Sequence, residues 1–270
     1  MVKMIDYHIH TSLCGHARGT PYQYLIAARE KAITEIGFAD HFPLALLGCN
    51  SGDKVSMEPE ELAGYIAEVH RLDSLFPEMT VRLGVEVDYL PGQDGLIAEQ
   101  LSRYPFDFVI GSVHFIGSWD FTHPAREREY RHKNLQKLYD DYFKLVWDAC
   151  RSRLFDVIGH LDIVKKFGYL LPEAEMEPYY LETARVLKES GTCLELNTAG
   201  RDAPVKQFYP GRQGLEIFCR EGIPITLSSD AHAPQQVGRY FTEAVELLRR
   251  VGYRELTGFC RRRRVTIDLE

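Results

Sequence analysis

Two rhythms of apolar and polar positions take turns along the chain. Short runs rich in apolar and β-branched residues, with the period of a strand, alternate with stretches whose apolar residues recur at helical spacing. MIDYHIH (4–10) is followed by a helical pattern from about Pro21, where Thr20 can cap and the proline takes the first helical position. EIGFADH (35–41) leads into a loop of Gly, Asn, Ser and Asp, then a helix from near Pro59 with Leu62, Ile66, Val69 and Leu72 on one stripe. TVRLGVEVDYL (80–90) stops at Pro91-Gly92, before a short helix over about 96–101. FDFVIGSVHF (106–115) precedes a long loop and a helix predicted over roughly 127–151. FDVIGHLDI (155–163) precedes a helix from about Pro172 that Gly191 should end. TCLELNTAG (192–200) leads to a helix ending near Gly222, and PITLSSDAH (224–232) to a last helix through Leu247 and Leu248.

Seven strand–helix units imply an α/β fold with a parallel sheet, either doubly wound or closed into a barrel; periodicity alone does not separate the two. No linker, low-complexity segment or internal repeat interrupts them, so a single domain over 1–270 is expected. The polar residues carry more information. His8 and His10 end the first run, with His16 in its loop; His41 ends the second; Glu86 and Asp88 sit late in the third. His114 ends the fourth, His160 and Asp162 the fifth, Asn197 the sixth, Asp230 and His232 the seventh. Of the ten histidines, His70, His123 and His132 alone fall elsewhere. In parallel α/β folds these strand ends form one rim, where active sites are built.

Composition changes the picture little. A hydrophobic fraction of 45%, a charged fraction of 26% and a net charge of −7 describe an ordinary globular chain and argue against general nucleic-acid binding. An anionic substrate stays open, because a metal site reverses the local potential. The six cysteines are scattered with no CxxC pair, which excludes a disulfide scaffold or a zinc ribbon and suits buried thiols in a reducing compartment. With no cleavable signal and no membrane-length apolar run, a cytoplasmic protein bound to no membrane is expected.

Imidazole and carboxylate are the usual donors for Zn, Mn and Fe. His8, His10, His16, His41, Glu86, His114, His160, Asp230 and His232 make nine donors, too many for one tetrahedral ion and enough for two or three, with Glu86 placed to bridge a pair. Any one of these histidines alone reads as a hydrogen-bonded rim residue; the set reads as a metal centre. Asp6, Asp88 and Asp162 share faces with His8, Glu86 and His160 and are candidates for orienting the ligands or for solvated rim charge. Cys14, inside the first ligand loop, reads as packing. Lys165 and Lys166 just beyond the fifth strand, Arg201 after the sixth, and Asn197 are candidates for gripping a substrate phosphate. The RRRR run at 261–264 reads as a solvated face.

DYHIHT, ADH, GVEVDY, GSVHF, GHLD and SSDAH, in that order, resemble the polymerase-and-histidinol-phosphatase (PHP) superfamily. CGHA, YPFDFVIGSVHF, IGHLDIVKKFG and LELNTAG extend the resemblance, over nearly the whole chain, to its histidinol-phosphatases. The resemblance implies a distorted (β/α)7 TIM-like barrel with three divalent metal ions at the C-terminal rim, Zn, Fe or Mn. It assigns His8, His10, Glu86 and Asp230 to one ion, Glu86, His114 and His160 to a second, and His16, His41 and His232 to a third. Two ions about 3.5–4 Å apart share a water and acidify it. The hydroxide would attack phosphorus in line, with His41, Asp230 or His232 assisting the leaving alkoxide. The substrate implied is L-histidinol phosphate, cleaved in histidine biosynthesis. Another phosphate ester (nucleotide, nucleic-acid end or phosphotyrosine) is the nearer alternative, and a non-catalytic module braced by metal the farther one.

Overall fold

All seven runs are strands in a computed structural model that describes residues 3–49 and 54–269. In chain order the elements are β1 (Met4–Ile9), α1 (Pro21–Glu30), β2 (Ile33–Phe38), α2 (Leu62–Leu75), β3 (Thr80–Asp88), α3 (Asp94–Leu101), β4 (Phe108–Ser112), β5 (Phe115–Ile116), β6 (Trp119–Asp120) and α4 (Leu135–Ser152). There follow β7 (Val157–Ile158), α5 (Glu173–Ser190), β8 (Cys193–Asn197), α6 (Arg212–Arg220), β9 (Ile225–Ser228), α7 (Phe241–Val251), β10 (Glu255–Cys260) and β11 (Arg263–Asp268). The sheet order is β1-β2-β3-β4-β7-β8-β9, every pair parallel. The sheet curls until its outer strands meet. Ala231, just past β9, donates to His8 O (3.1 Å) and accepts from His10 N (3.0 Å). The result is a nearly closed seven-stranded barrel of the TIM type, joined at the C-terminal ends of its strands.

Local chemistry explains the helix ends. Thr20 accepts from Gln23 N at 3.4 Å while the Gln23 side chain accepts from Thr20 N at 2.8 Å, a reciprocal capping box at the start of α1. Gly191 ends α5 at φ 75°, a left-handed position that glycine takes without steric cost. Leu62, Val69 and Leu72 of α2 are buried.

Three details differ from the sequence reading. The helix expected from 127 starts at Leu135, where the Asn134 side chain caps Lys137 N (3.0 Å); residues Pro124–His132 have no apolar stripe and form a 3-10 segment. Strand β7 is only two residues long, because the chain turns into positive φ at His160 (20°) and Asp162 (68°). Two hairpins, β5–β6 and β10–β11, were not foreseen. The loop of Gly, Asn, Ser and Asp falls partly at 50–53, outside the described residues.

The barrel interior is layered. Arg82, Gly84 and Glu86 alternate along β3 on one face. At the N-terminal end Glu35 pairs with Arg82 (2.9 Å) and bonds Lys3 and the Tyr7 hydroxyl. Above it the Phe108 ring lies against Gly37 and Gly84, where a Cβ would overlap it. The β10–β11 hairpin plugs this end: Phe259 packs on Tyr7 and Phe108 with ring centroids 5.9 and 6.2 Å away. Its turn is held by Asp107, which accepts from Arg261 N at 2.9 Å, and by an Arg262–Asp156 ion pair. The four arginines of 261–264 are exposed, as a solvated face requires. Plugged below by apolar rings, the barrel leaves its upper layer to polar side chains.

Candidate metal centre

Glu86, the inward residue near the end of β3, is 1% exposed and stands among five imidazoles. Its Oε2 lies 3.3 Å from His8 Nε2, 3.5 Å from His10 Nε2 and 3.0 Å from His41 Nδ1. Its Oε1 lies 2.9 Å from His160 Nε2 and 3.6 Å from His114 Nε2. The two oxygens therefore face two different sets of donors. Burial alone would raise the pKa of Glu86, but His41, His8 and His114 overcome it and hold the carboxyl well below its usual range. Asp230 behaves likewise: burial is outweighed by His8, His10 and His232, and its Oδ1 is 3.2 Å from His10 Nε2.

Four of the rings are oriented by what their other nitrogen meets. His8 Nδ1 donates to Glu195 at 2.6 Å, so in the neutral ring Nε2 carries the lone pair; that atom is buried with no hydrogen-bond partner. His114 Nδ1 donates to Asp88 at 2.8 Å. His16 Nδ1 donates to Cys14 O (3.0 Å) and His232 Nδ1 to Asp230 O (3.1 Å), which leaves their Nε2 lone pairs facing each other at 2.9 Å. Two lone pairs at that distance repel unless a cation lies between them. The chemistry of the donor set agrees: the ligating atoms of His10, His41 and His232, of His8, His10 and Asp230, and of His41, Glu86 and His114 each lie within 4.8 Å of one another. The residues fit divalent metal. Desolvation and neighbouring imidazoles also lower the pKa of His16, His41 and His232, which keeps their lone pairs free at neutral pH. At His8, His10 and His114 burial is outweighed by the facing carboxylates, which raise the pKa, so a metal ion would displace protons there.

The nine donors expected from sequence are thus brought to one place, all but His8 lining a cavity of about 840 Å³ whose walls add Phe115, Thr122, Ile163 and Lys166. Lys166, expected at a phosphate, lines the cavity; its Nζ donates to Thr122 O at 2.9 Å and burial lowers its pKa. Other expectations fail on direction. Lys165 is buried outside the cavity on Asp162 (2.9 Å) and Gln207 (3.1 Å), because the 3-10 turn Ile163–Lys165 swings it away. Arg201 lies on another face, paired with Glu243 at 3.0 Å. Asn197 does not line the cavity: its Nδ2 bonds Glu195 (3.1 Å) and Asp230 (3.3 Å), beneath the donors.

Among the three aspartates, Asp88 orients the His114 imidazole. Asp162 instead bonds Lys165, Tyr180 (2.7 Å) and Gly211 N (3.0 Å), and Asp6 accepts from Ser229 N (2.8 Å) and Oγ (2.6 Å) across the β1–β9 seam. The sequence reading missed Glu195, fully buried, which takes His8 Nδ1, His160 N and the Ser228 hydroxyl at once. Its signal was a charged residue between Leu194 and Leu196, on the strand face that Asn197 shares. Asp40, whose Oδ1 is 3.6 Å from His10 Nδ1, and His123 on the cavity wall were missed as well.

Comparison with known proteins gives this geometry a family. A model described as the PHP domain matches residues 6–199, and one described as PHP-associated matches 212–248. A probable histidinol-phosphatase of Deinococcus radiodurans is 41% identical over 258 residues, 95% of this chain and 97% of that protein. The histidinol-phosphatase of Lactococcus lactis is 27% identical over 96% of this chain and 95% of its own length. The crystal structure of a histidinol phosphate phosphatase from Lactococcus lactis, complexed with zinc, L-histidinol and phosphate, superposes with a TM-score of 0.84 at 25% identity, covering 98% of this chain and all of that one. The chain belongs to the PHP family.

Proposed function

We infer that this chain is a metal-dependent phosphatase that hydrolyses L-histidinol phosphate to L-histidinol and phosphate. The observation that carries the reading is the nine-donor rim around Glu86, in a chain similar end to end to histidinol-phosphatases and sharing its fold with the zinc-, L-histidinol- and phosphate-bound Lactococcus protein. His8, His10, Glu86 and Asp230 would hold one ion, Glu86, His114 and His160 a second, and His16, His41 and His232 a third. Zinc suits this set, as do iron and manganese. Bound there, the ions supply an acidified water as nucleophile and neutralise charge on the phosphoryl oxygens.

The chain's own groups do the rest. Glu86 offers one oxygen to each of two donor sets and stays ionised, so it can bridge. Glu195 and Asp88 fix the rings of His8 and His114. Lys166 lines the cavity and would meet the phosphate with its ammonium, and His41, Asp230 and His232, on the same walls, would assist the leaving alkoxide. Phe115 and Ile163 wall the cavity with apolar surface, which strengthens every charge interaction inside it.

The reading is tested by comparing kcat/KM for L-histidinol phosphate with phenyl phosphate and nucleoside monophosphates. The expected preference for histidinol phosphate is at least about 100-fold, as for sites that recognise polar substrate groups. Equal or better turnover of another ester would keep the metal chemistry and discard this substrate.

A further inference from the structure

Residues 229–232 carry two of the donors, Asp230 and His232, around a left-handed backbone position. Asp230 has φ of 50°, in the left-handed region that a residue with a Cβ rarely adopts. Such a segment persists only where its surroundings over-determine it. Hydrogen bonds to its backbone groups do so. Ser229 N donates to Asp6, which also accepts from Gly238 N at 3.0 Å. Ala231 is tied to His8 and His10 of the first strand. His232 N donates to the Gln236 side chain (2.8 Å), and His232 O accepts from Arg18 N (2.9 Å).

Of the carbonyls, those of Ser229 and Asp230 remain, and one side chain takes both. Arg239 donates from Nε to Ser229 O and from Nη2 to Asp230 O, each at 2.9 Å. Its Nη1 is held by Asp202 at 2.8 Å, and the other oxygen of Asp202 accepts from the Tyr240 hydroxyl. Arg239 is 13% exposed and lies outside the cavity. Asp230 O also accepts from His232 Nδ1, so the guanidinium and the imidazole share one carbonyl. A planar fork matches this arrangement; a lysine would reach one carbonyl only.

We propose that Arg239, braced by Asp202, is a positioning residue of the metal centre: through the carbonyls of Ser229 and Asp230 it holds Asp230 and His232 in the geometry that takes up metal. The proposal rests on the metal reading above, and its test separates the two. Full-length wild type, Arg239→Gln, Arg239→Lys and Asp202→Asn are stripped of metal, and zinc uptake is followed in competition with a chromophoric chelator.

Arg239→Gln should keep the circular dichroism and thermal midpoint of the stripped wild type and lose about 10–100-fold in zinc affinity, the range seen when partners behind a ligand are removed. Arg239→Lys and Asp202→Asn should fall between. Phosphate release by Arg239→Gln should drop at limiting zinc and recover as zinc is raised, which a merely structural defect would not do. A wild-type zinc isotherm in Arg239→Gln would overturn the proposal. If Arg239→Gln fails to fold, a wild-type isotherm in Asp202→Asn would overturn it equally. A wild-type chain that takes up no zinc would overturn the metal reading and this proposal with it.

Discussion

A histidine gives a metal one lone pair, and the group at its other nitrogen decides which. At this centre those groups are oxygens fixed by the fold: Glu195 behind His8, Asp88 behind His114, the carbonyls of Cys14 and Asp230 behind His16 and His232. Glu195→Gln keeps the shape and removes the charge that receives the His8 proton. Zinc affinity should fall about 10–100-fold in a chelator competition, and an unchanged isotherm would show that His8 needs no such partner. Glu86→Ala acts directly, removing the oxygens that face both donor sets. The variant should keep its circular dichroism while bound metal, read by elemental analysis, and turnover fall together by more than about 100-fold. Full metal content and turnover would remove Glu86 from the centre.

At the scale of elements, the strand period placed the donors and the core alike. His8, Glu86, His114 and Asp230 were legible because a two-residue alternation ending in a polar residue points to a rim, and parallel strands share that rim. Direction beyond the strand end was not legible. Lys165 and Lys166 are neighbours in sequence, yet a 3-10 turn buries the first against Asp162 and gives only the second to the cavity. Glu195 is 187 residues from the histidine it orients, a pairing that barrel closure makes and no local pattern records.

The lower layers of the barrel make separate predictions. A Cβ on Gly84 would overlap the Phe108 ring, so Gly84→Ala should destabilise by roughly 1–3 kcal/mol, the usual toll of overpacking, and Phe108→Leu should recover part of it in thermal unfolding. Additive losses would mean the two residues do not share that space. Glu35 tests charge in the same region. Burial pushes its pKa up, but bonds from Lys3, Tyr7 and Arg82 overcome this and hold it below the ordinary 4.5. A carboxyl with a lower pKa folded than unfolded adds stability above the unfolded value and loses it as pH falls toward the folded one. Glu35→Gln should therefore cost about 2 kcal/mol at pH 7, less than the roughly 3–5 of a fully buried pair because Lys3 is 45% exposed. The gap from wild type should narrow below about pH 4.5. A gap that stays constant from pH 7 to 3 would assign the effect to packing.

For the molecule as a whole, the chain carries a net charge of −7 and gathers carboxylates and lone pairs at one end of the barrel. An anionic phosphate ester meets an unfavourable field there until divalent ions reverse it. The β10–β11 hairpin seals the opposite end with Phe259, so the chemistry is confined to the upper rim. Turnover should then depend wholly on metal. The most direct measurement is phosphate release from L-histidinol phosphate by chelator-stripped protein during a zinc titration. No release without metal, rising to a plateau at two to three equivalents per chain, is the predicted result. Undiminished release by the stripped protein, or none at any level of zinc, manganese or iron, would contradict it.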